Sequence, residues 1–241
     1  MGRGVALVVG LALVAPAARA AACAPGAALG VTDQRLAALD PKLRLRFIDA
    51  ELARGAHRAN VWVWGWTIAL GVGTVGNLVP VPFVPADQRI DWYTGSVTTV
   101  IGIVPLFVAP PTVIADAREL HAHLDARGTT DVCALLADAE TRLVRDAENQ
   151  ADARRWWVHV GNVVLNAGVG LFLGLGYHHW VAGALNFASG AAIGEVIIFT
   201  QPTNVVDGLR RYRDGALDEA PGEALDDGAQ ARPSLSFSRA F

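Results

Sequence analysis

Charge is missing from long stretches of this chain. Residues 60–86, 92–115 and 156–177 hold no Asp, Glu, Lys or Arg, and residues 180–201 hold Glu195 alone. Each stretch reaches the ~20 residues an α-helix needs to cross ~30 Å of hydrocarbon. Four spans are therefore predicted, at about 61–79, 93–114, 157–177 and 180–200. The remaining chain changes period. Residues 32–58 mix Leu, Ile and Phe with Arg, Asp and Glu around a break at Asp40-Pro41, which predicts a short helix and then a longer one feeding the first span. Residues 131–156 feed the third span in the same way, with Leu136, Leu143 and Ala147 on one apolar face. Residues 116–127 read as an amphipathic helix ending at Gly128, and 214–241 as an acidic, disordered tail.

The pattern is written twice. At a constant offset Asp49-Ala50-Glu51 matches Asp146-Ala147-Glu148, Arg58 matches Arg155, Val61 and Val63 match Val158 and Val160, and Gly71-Val72-Gly73 matches Gly168-Val169-Gly170. Trp92 and Gly95 then match Trp180 and Gly183, and Pro111-Thr112 with Asp116 matches Pro202-Thr203 with Asp207. A tandem duplication of one membrane hairpin follows, repeat 1 in 21–130 and repeat 2 in 131–213. The fold expected is an all-α, integral membrane four-helix bundle with helices extending out of the membrane and the two lead-in helices packed as a pair. Because each repeat holds an even number of spans, the repeats should be parallel, related by an axis along the membrane normal.

Composition agrees with a membrane protein: 52% hydrophobic and 18% charged residues. Aromatic residues stand at the span boundaries, among them Trp62, Trp66, Trp92, Trp156 and Trp180, as an interfacial belt would place them. Gly170-x-x-x-Gly174 and Gly190-x-x-x-Gly194 have the spacing of tight helix pairing. The first 20 residues have the form of an export signal, with Arg3, an apolar run and Ala18-Arg19-Ala20 as a cleavage site. Cleavage there and four spans put every long polar segment on the translocated side. The basic residues argue the reverse: Arg3 and Arg19 fall in the leader, Arg89 in a hairpin loop and the rest in the long polar segments, where an inner-membrane protein should place its cytoplasmic face. A multi-pass protein of a cell-envelope membrane is expected, with inner and outer membrane both open.

Cys23 and Cys133 fall on one side of any even-span topology and are the disulfide candidate. The polar residues inside the spans are the candidate site. His159, Asn162 and Asn166 lie at i, i+3 and i+7 on one helical face. The antiparallel return of the next span brings Glu195 to the depth of His159 and Asn162, where a carboxylate in hydrocarbon, costing at least ~2.5 kcal/mol, needs a partner. At the corresponding positions of the first repeat stand Trp62, Gly65, Ala69 and Val104. This set serves either as a clamp between two spans or as a proton, ion or ligand site. His57 with His159 as haem ligands has no second supporting feature. No phosphate loop, His-Glu-x-x-His, Gly-x-Ser-x-Gly or Cys-x-x-Cys occurs. The expectation is a non-enzymatic structural or partner-packing membrane component, without catalytic residues, metal or cofactor. The alternative is a small-solute or ion pathway. Expected partners are the lipid bilayer and a second copy or another membrane protein, and not nucleic acid, given the net charge of −3.

Overall fold

A computed structural model describes residues 23–30, 34–126 and 131–217. The leader 1–20, Gly128 and most of the acidic tail lie outside the described residues. Among the described residues the chain is all-helical, with no strand. The helices are α1 (Gln34–Ala38), α2 (Pro41–Leu78), α3 (Arg89–Val108), α4 (Val113–Asp125), α5 (Val132–Asp152), α6 (Trp156–Tyr177), α7 (Trp180–Thr200) and α8 (Asn204–Arg213).

Local chemistry sets most boundaries. Asp40 accepts from the Lys42 amide at 3.0 Å, and Pro41 occupies the first turn of α2, where its missing N–H is not needed. Asp131 caps α5 in the same way through the Cys133 amide at 2.9 Å. Pro110 and Pro111 prevent α3 from continuing. The turn between α6 and α7 is only His178-His179: His178 adopts φ 62°, and the His179 amide reaches back to the Leu173 carbonyl at 3.1 Å.

Four helical segments are long and apolar enough to cross a membrane, and they lie in α2, α3, α6 and α7. α2 packs along α3, and α6 along α7, as two antiparallel hairpins. Their outer faces carry large apolar side chains in the open, such as Ile68, Val72, Val108 and Val181, each more than 60% exposed. Exposed apolar surface on this scale marks a lipid- or protein-facing region.

All the polar helices gather into one body at one end of the hairpins. There the first half of α2 meets α4, α5 and α8 around a core that includes Phe47, Ile48, Leu52, Leu120, Leu143 and Tyr212. α2 is a single 38-residue helix, whereas the corresponding stretch of the second half is interrupted by a turn at Ala153–Arg155 between α5 and α6. Arg154 fills that break: its guanidinium donates to the carbonyls of Phe199, at 2.7 Å, and of Gln201, where α7 ends.

Candidate functional site

The four polar residues of the second hairpin meet at the seam between α6 and α7. His159 Nδ1 lies 2.5 Å from Glu195 Oε2, and Asn162 Nδ2 donates to Glu195 Oε1 at 3.0 Å and to the Ala191 carbonyl at 2.9 Å. Asn166 Nδ2 donates to the carbonyl and the side-chain oxygen of Asn162, both at 2.9 Å. A continuous chain thus runs His159–Glu195–Asn162–Asn166. The Phe199 ring lies against His159, with centroids 5.2 Å apart.

Glycine makes this seam possible. A Cβ on Gly194 would collide with the Asn162 side-chain amide, and one on Gly190 with that of Asn166. Gly170 and Gly183 approach each other so closely that a Cβ on either would strike the other's carbonyl. The notches at Gly190 and Gly194 therefore accept the asparagines. The corresponding seam of the first hairpin uses hydroxyls instead: Thr74 and Thr99 bond at 2.7 Å, and Ser96 reaches the Thr74 carbonyl at 3.4 Å.

The two hairpins meet through α3, which lies against α6 and α7. Among the described residues, polar links cross between them at the ends only. Trp62 and Trp66 donate to Thr200 Oγ1 at 3.3 and 3.0 Å on the side of the polar body, and His179 Nδ1 lies 2.7 Å from Asp91 at the far end. Between these ties runs a cleft of about 430 Å³ walled by Leu70, Thr98, Gly102, Gly161, Asn162 and Asn166 among others. A second cleft, of about 410 Å³, adjoins it where the hairpins meet the body. It is lined by Pro105, Thr112, Asp146, Asn149 and Gln150 among others. Trp62, Pro105, Leu106, Ala153 and Gln201 belong to both walls.

In the upper cleft Asn149 Nδ2 donates to Thr112 Oγ1 at 2.9 Å, and Thr112 donates to Asp146 Oδ1 at 2.5 Å. Asp146 is 1% exposed, and its Oδ2 has no hydrogen-bond partner. Burial pushes its carboxyl up to about 7; the Thr112 hydrogen bond opposes this and the neighbouring Asp116 charge adds to it. Asp116 is itself held by Arg145, whose Nη2 lies 2.5 Å from both of its oxygens, and by Arg142 at 3.2 Å.

Cys23 and Cys133 are brought to disulfide geometry, with Cα atoms 5.3 Å apart. Beside them lies a charged cluster that the sequence reading missed. Arg44 and Glu140, both completely buried, form an ion pair, and Tyr212 bonds to both. Arg44 also donates to the Cys23 carbonyl at 2.8 Å, and Glu140 accepts the Gly26 amide at 2.5 Å. Burial raises the Tyr212 pKa above its ordinary value, and the Glu140 contact adds to the rise. The available signal was a charge standing inside an apolar stripe: Arg44 and Glu51 among Leu45, Ile48 and Leu52, and Glu140 between Leu136 and Leu143.

Two polar contacts tie distant elements together. Arg211, just after the fourth apolar helix, turns inward to the buried Glu51 at 2.5 Å and stacks over Phe47. His179, in the turn between α6 and α7, pairs with Asp91 of the other hairpin. Among the described residues no group of three His, Cys, Asp or Glu side chains could hold a metal ion. His57 is exposed on α2, while His159 is engaged by Glu195. No family model, curated protein or solved structure matches the chain.

Proposed function

We propose that the protein is a non-enzymatic, multi-pass integral component of a bacterial-type cell-envelope membrane, exported by the leader 1–20 and built from two tandem hairpin repeats. The observation that carries this reading is the division of surfaces: α2, α3, α6 and α7 turn apolar side chains outward, while the charged helices close into one body at one end. Water would not tolerate the first and hydrocarbon would not tolerate the second. The repeat is supported by the matched sequence segments and by corresponding contacts, α4 lying on α2 as α8 lies on α5. The disulfide pair fits a body placed on the oxidising side. Lipid, a second copy or another membrane protein covers the outer faces. Alkaline carbonate extraction and topology reporters fused after Gln88 and after Asp214 test the reading. Retention in the membrane pellet with reporters on opposite sides is expected; release into the soluble fraction overturns it.

A specific observation favours a second reading, a pathway for a small solute or ion. The cleft between the hairpins reaches Asn162 and Asn166, with Thr98 and Thr99 on the opposite wall, so it is not lined by apolar groups alone. Solute flux into proteoliposomes, lost in Asn166→Leu, is the expected result under that reading. Liposomes no leakier with the protein than without it rule it out.

A further inference from the structure

We propose that the two adjoining clefts form one binding site for a single uncharged, hydroxyl-headed amphiphile of the monoacylglycerol kind, with its head at Thr112, Asp146 and Asn149 and its chain between the hairpins. The site rests on the membrane reading above and goes beyond it. The shared residues Trp62, Pro105, Leu106, Ala153 and Gln201 set the two spaces side by side, and each falls within the ~300–1,000 Å³ of ligand sites. From Trp62 to Leu70 the lower cleft runs about 12 Å along α2, bounded mostly by Leu, Ile, Val and Gly. That length and lining suit an acyl chain.

The upper cleft specifies the head. It sits where the spans meet the polar body, and its wall carries Thr112, Asp146, Asn149 and Gln150. Among the described residues no lysine or arginine lines either cleft. A phosphate would meet the Asp146 carboxyl group without a cation in the wall to bind it, since the nearby Arg145 is engaged by Asp116. A hydroxyl head can instead exchange hydrogen bonds with the polar side chains of that wall, Thr112, Asn149 and Gln150. Lower down, Thr98, Thr99, Asn162 and Asn166 interrupt the apolar wall. The site therefore discriminates by head chemistry and accepts the chain by shape.

The test uses full-length protein in phosphatidylcholine nanodiscs with a diazirine-bearing monoacylglycerol, and mass spectrometry to locate the photo-adducts. Adducts are expected within 98–113 and 146–166. Unlabelled monooleoylglycerol should compete at least about tenfold better than phosphatidylglycerol, about 1.4 kcal/mol. Gly161→Leu should cut labelling by about tenfold or more, because a Cβ there meets nothing within 4 Å and the side chain occupies the cleft. Gly71→Leu, outside both clefts and equally unobstructed, should leave labelling unchanged. Ile193→Trp is a second filling variant should Gly161→Leu fail to keep the wild-type melting profile. Equal competition by phosphatidylglycerol, or labelling indifferent to both filling variants, overturns the site while leaving the membrane reading intact. Extraction of the wild-type chain by carbonate overturns both.

Discussion

In the polar body Arg44, Glu51 and Glu140 are completely buried, and each is held by at least two partners. Between the hairpins, by contrast, polar ties sit at the two ends and leave a cleft in the middle. A buried charge forces its neighbours into one arrangement because losing a partner leaves it uncompensated. Apolar helices in lipid have no such constraint, since lipid tails solvate them as well as another helix does. The body therefore fixes the geometry of the four apolar helices from one end, and the cleft between the hairpins is left without polar ties in its middle.

The largest expected effect comes from breaking the body. Glu140→Leu leaves the Arg44 guanidinium buried without its carboxylate, and unfolding in detergent should lose about 3–5 kcal/mol. The double variant Arg44→Met/Glu140→Leu should recover most of that loss, because it removes both charges at similar volume. A loss under about 1 kcal/mol in the single variant would mean that the body does not dominate stability.

Overpacking in the apolar layer should cost less. Gly194→Val places side-chain atoms where Asn162 already lies and should destabilise by about 1–3 kcal/mol. Gly71→Val, on a helix face with nothing within 4 Å, should change stability by less than about 0.5 kcal/mol. Equal effects at the two glycines would show that the α6/α7 seam is looser than its geometry. Parallel denaturation curves for the two variants make the comparison.

The seam was legible in the sequence, as was the pairing of the lead-in helices, α2 against α5; the charged core of the body was not. His159, Asn162, Asn166 and Glu195 stand alone in apolar surroundings, and one helical period plus an antiparallel return suffices to bring them together. The disulfide candidate was legible because only two cysteines exist. Arg44, Glu140 and Tyr212, in contrast, come from three helices far apart in sequence, and nothing local pairs them. The link of His179 to Asp91 required knowing how two hairpins lean, which is a property of the packed body rather than of either hairpin. The break at Ala153–Arg155 was hidden for a similar reason, since Arg154 finds its acceptors at the distant end of α7.

A pH dependence separates the body's paired acids from its strained one. Asp146 has a folded pKa of about 7 against an ordinary 3.8, so between those values the folded state holds a proton that the unfolded state has released. Its contribution then falls as pH rises from about 4 to about 7, by at most ~1.4 kcal/mol per pH unit, and is constant above. The groups facing it are Thr112 before α4, Asp116 on α4 and Arg145 on α5. Asp49, also raised, chiefly by burial, has the same sign. Asp146→Asn should flatten the stability profile between pH 5 and 7, a window that follows from the raised value. An unchanged slope would assign the dependence to other groups.

The smallest effect on stability is expected at the far end of the hairpins, although its effect on geometry should be the most visible. His179 and Asp91 are each about a fifth exposed at the side chain, so Asp91→Asn should cost no more than about 1 kcal/mol. Yet this pair is the polar tie that closes the cleft opposite the body, where no core holds the hairpins together. Spin labels at Phe83→Cys and Val181→Cys, one on each hairpin and both exposed, report the separation by pulsed electron resonance. One narrow distance is expected with Asp91 present and a broader, longer distribution in Asp91→Asn, with the exposed Asp87→Asn as an unchanged control. An Asp91→Asn distribution as narrow as the parent's would show that helix contacts alone set the hairpin spacing, and the body would then control the apolar layer along its whole length.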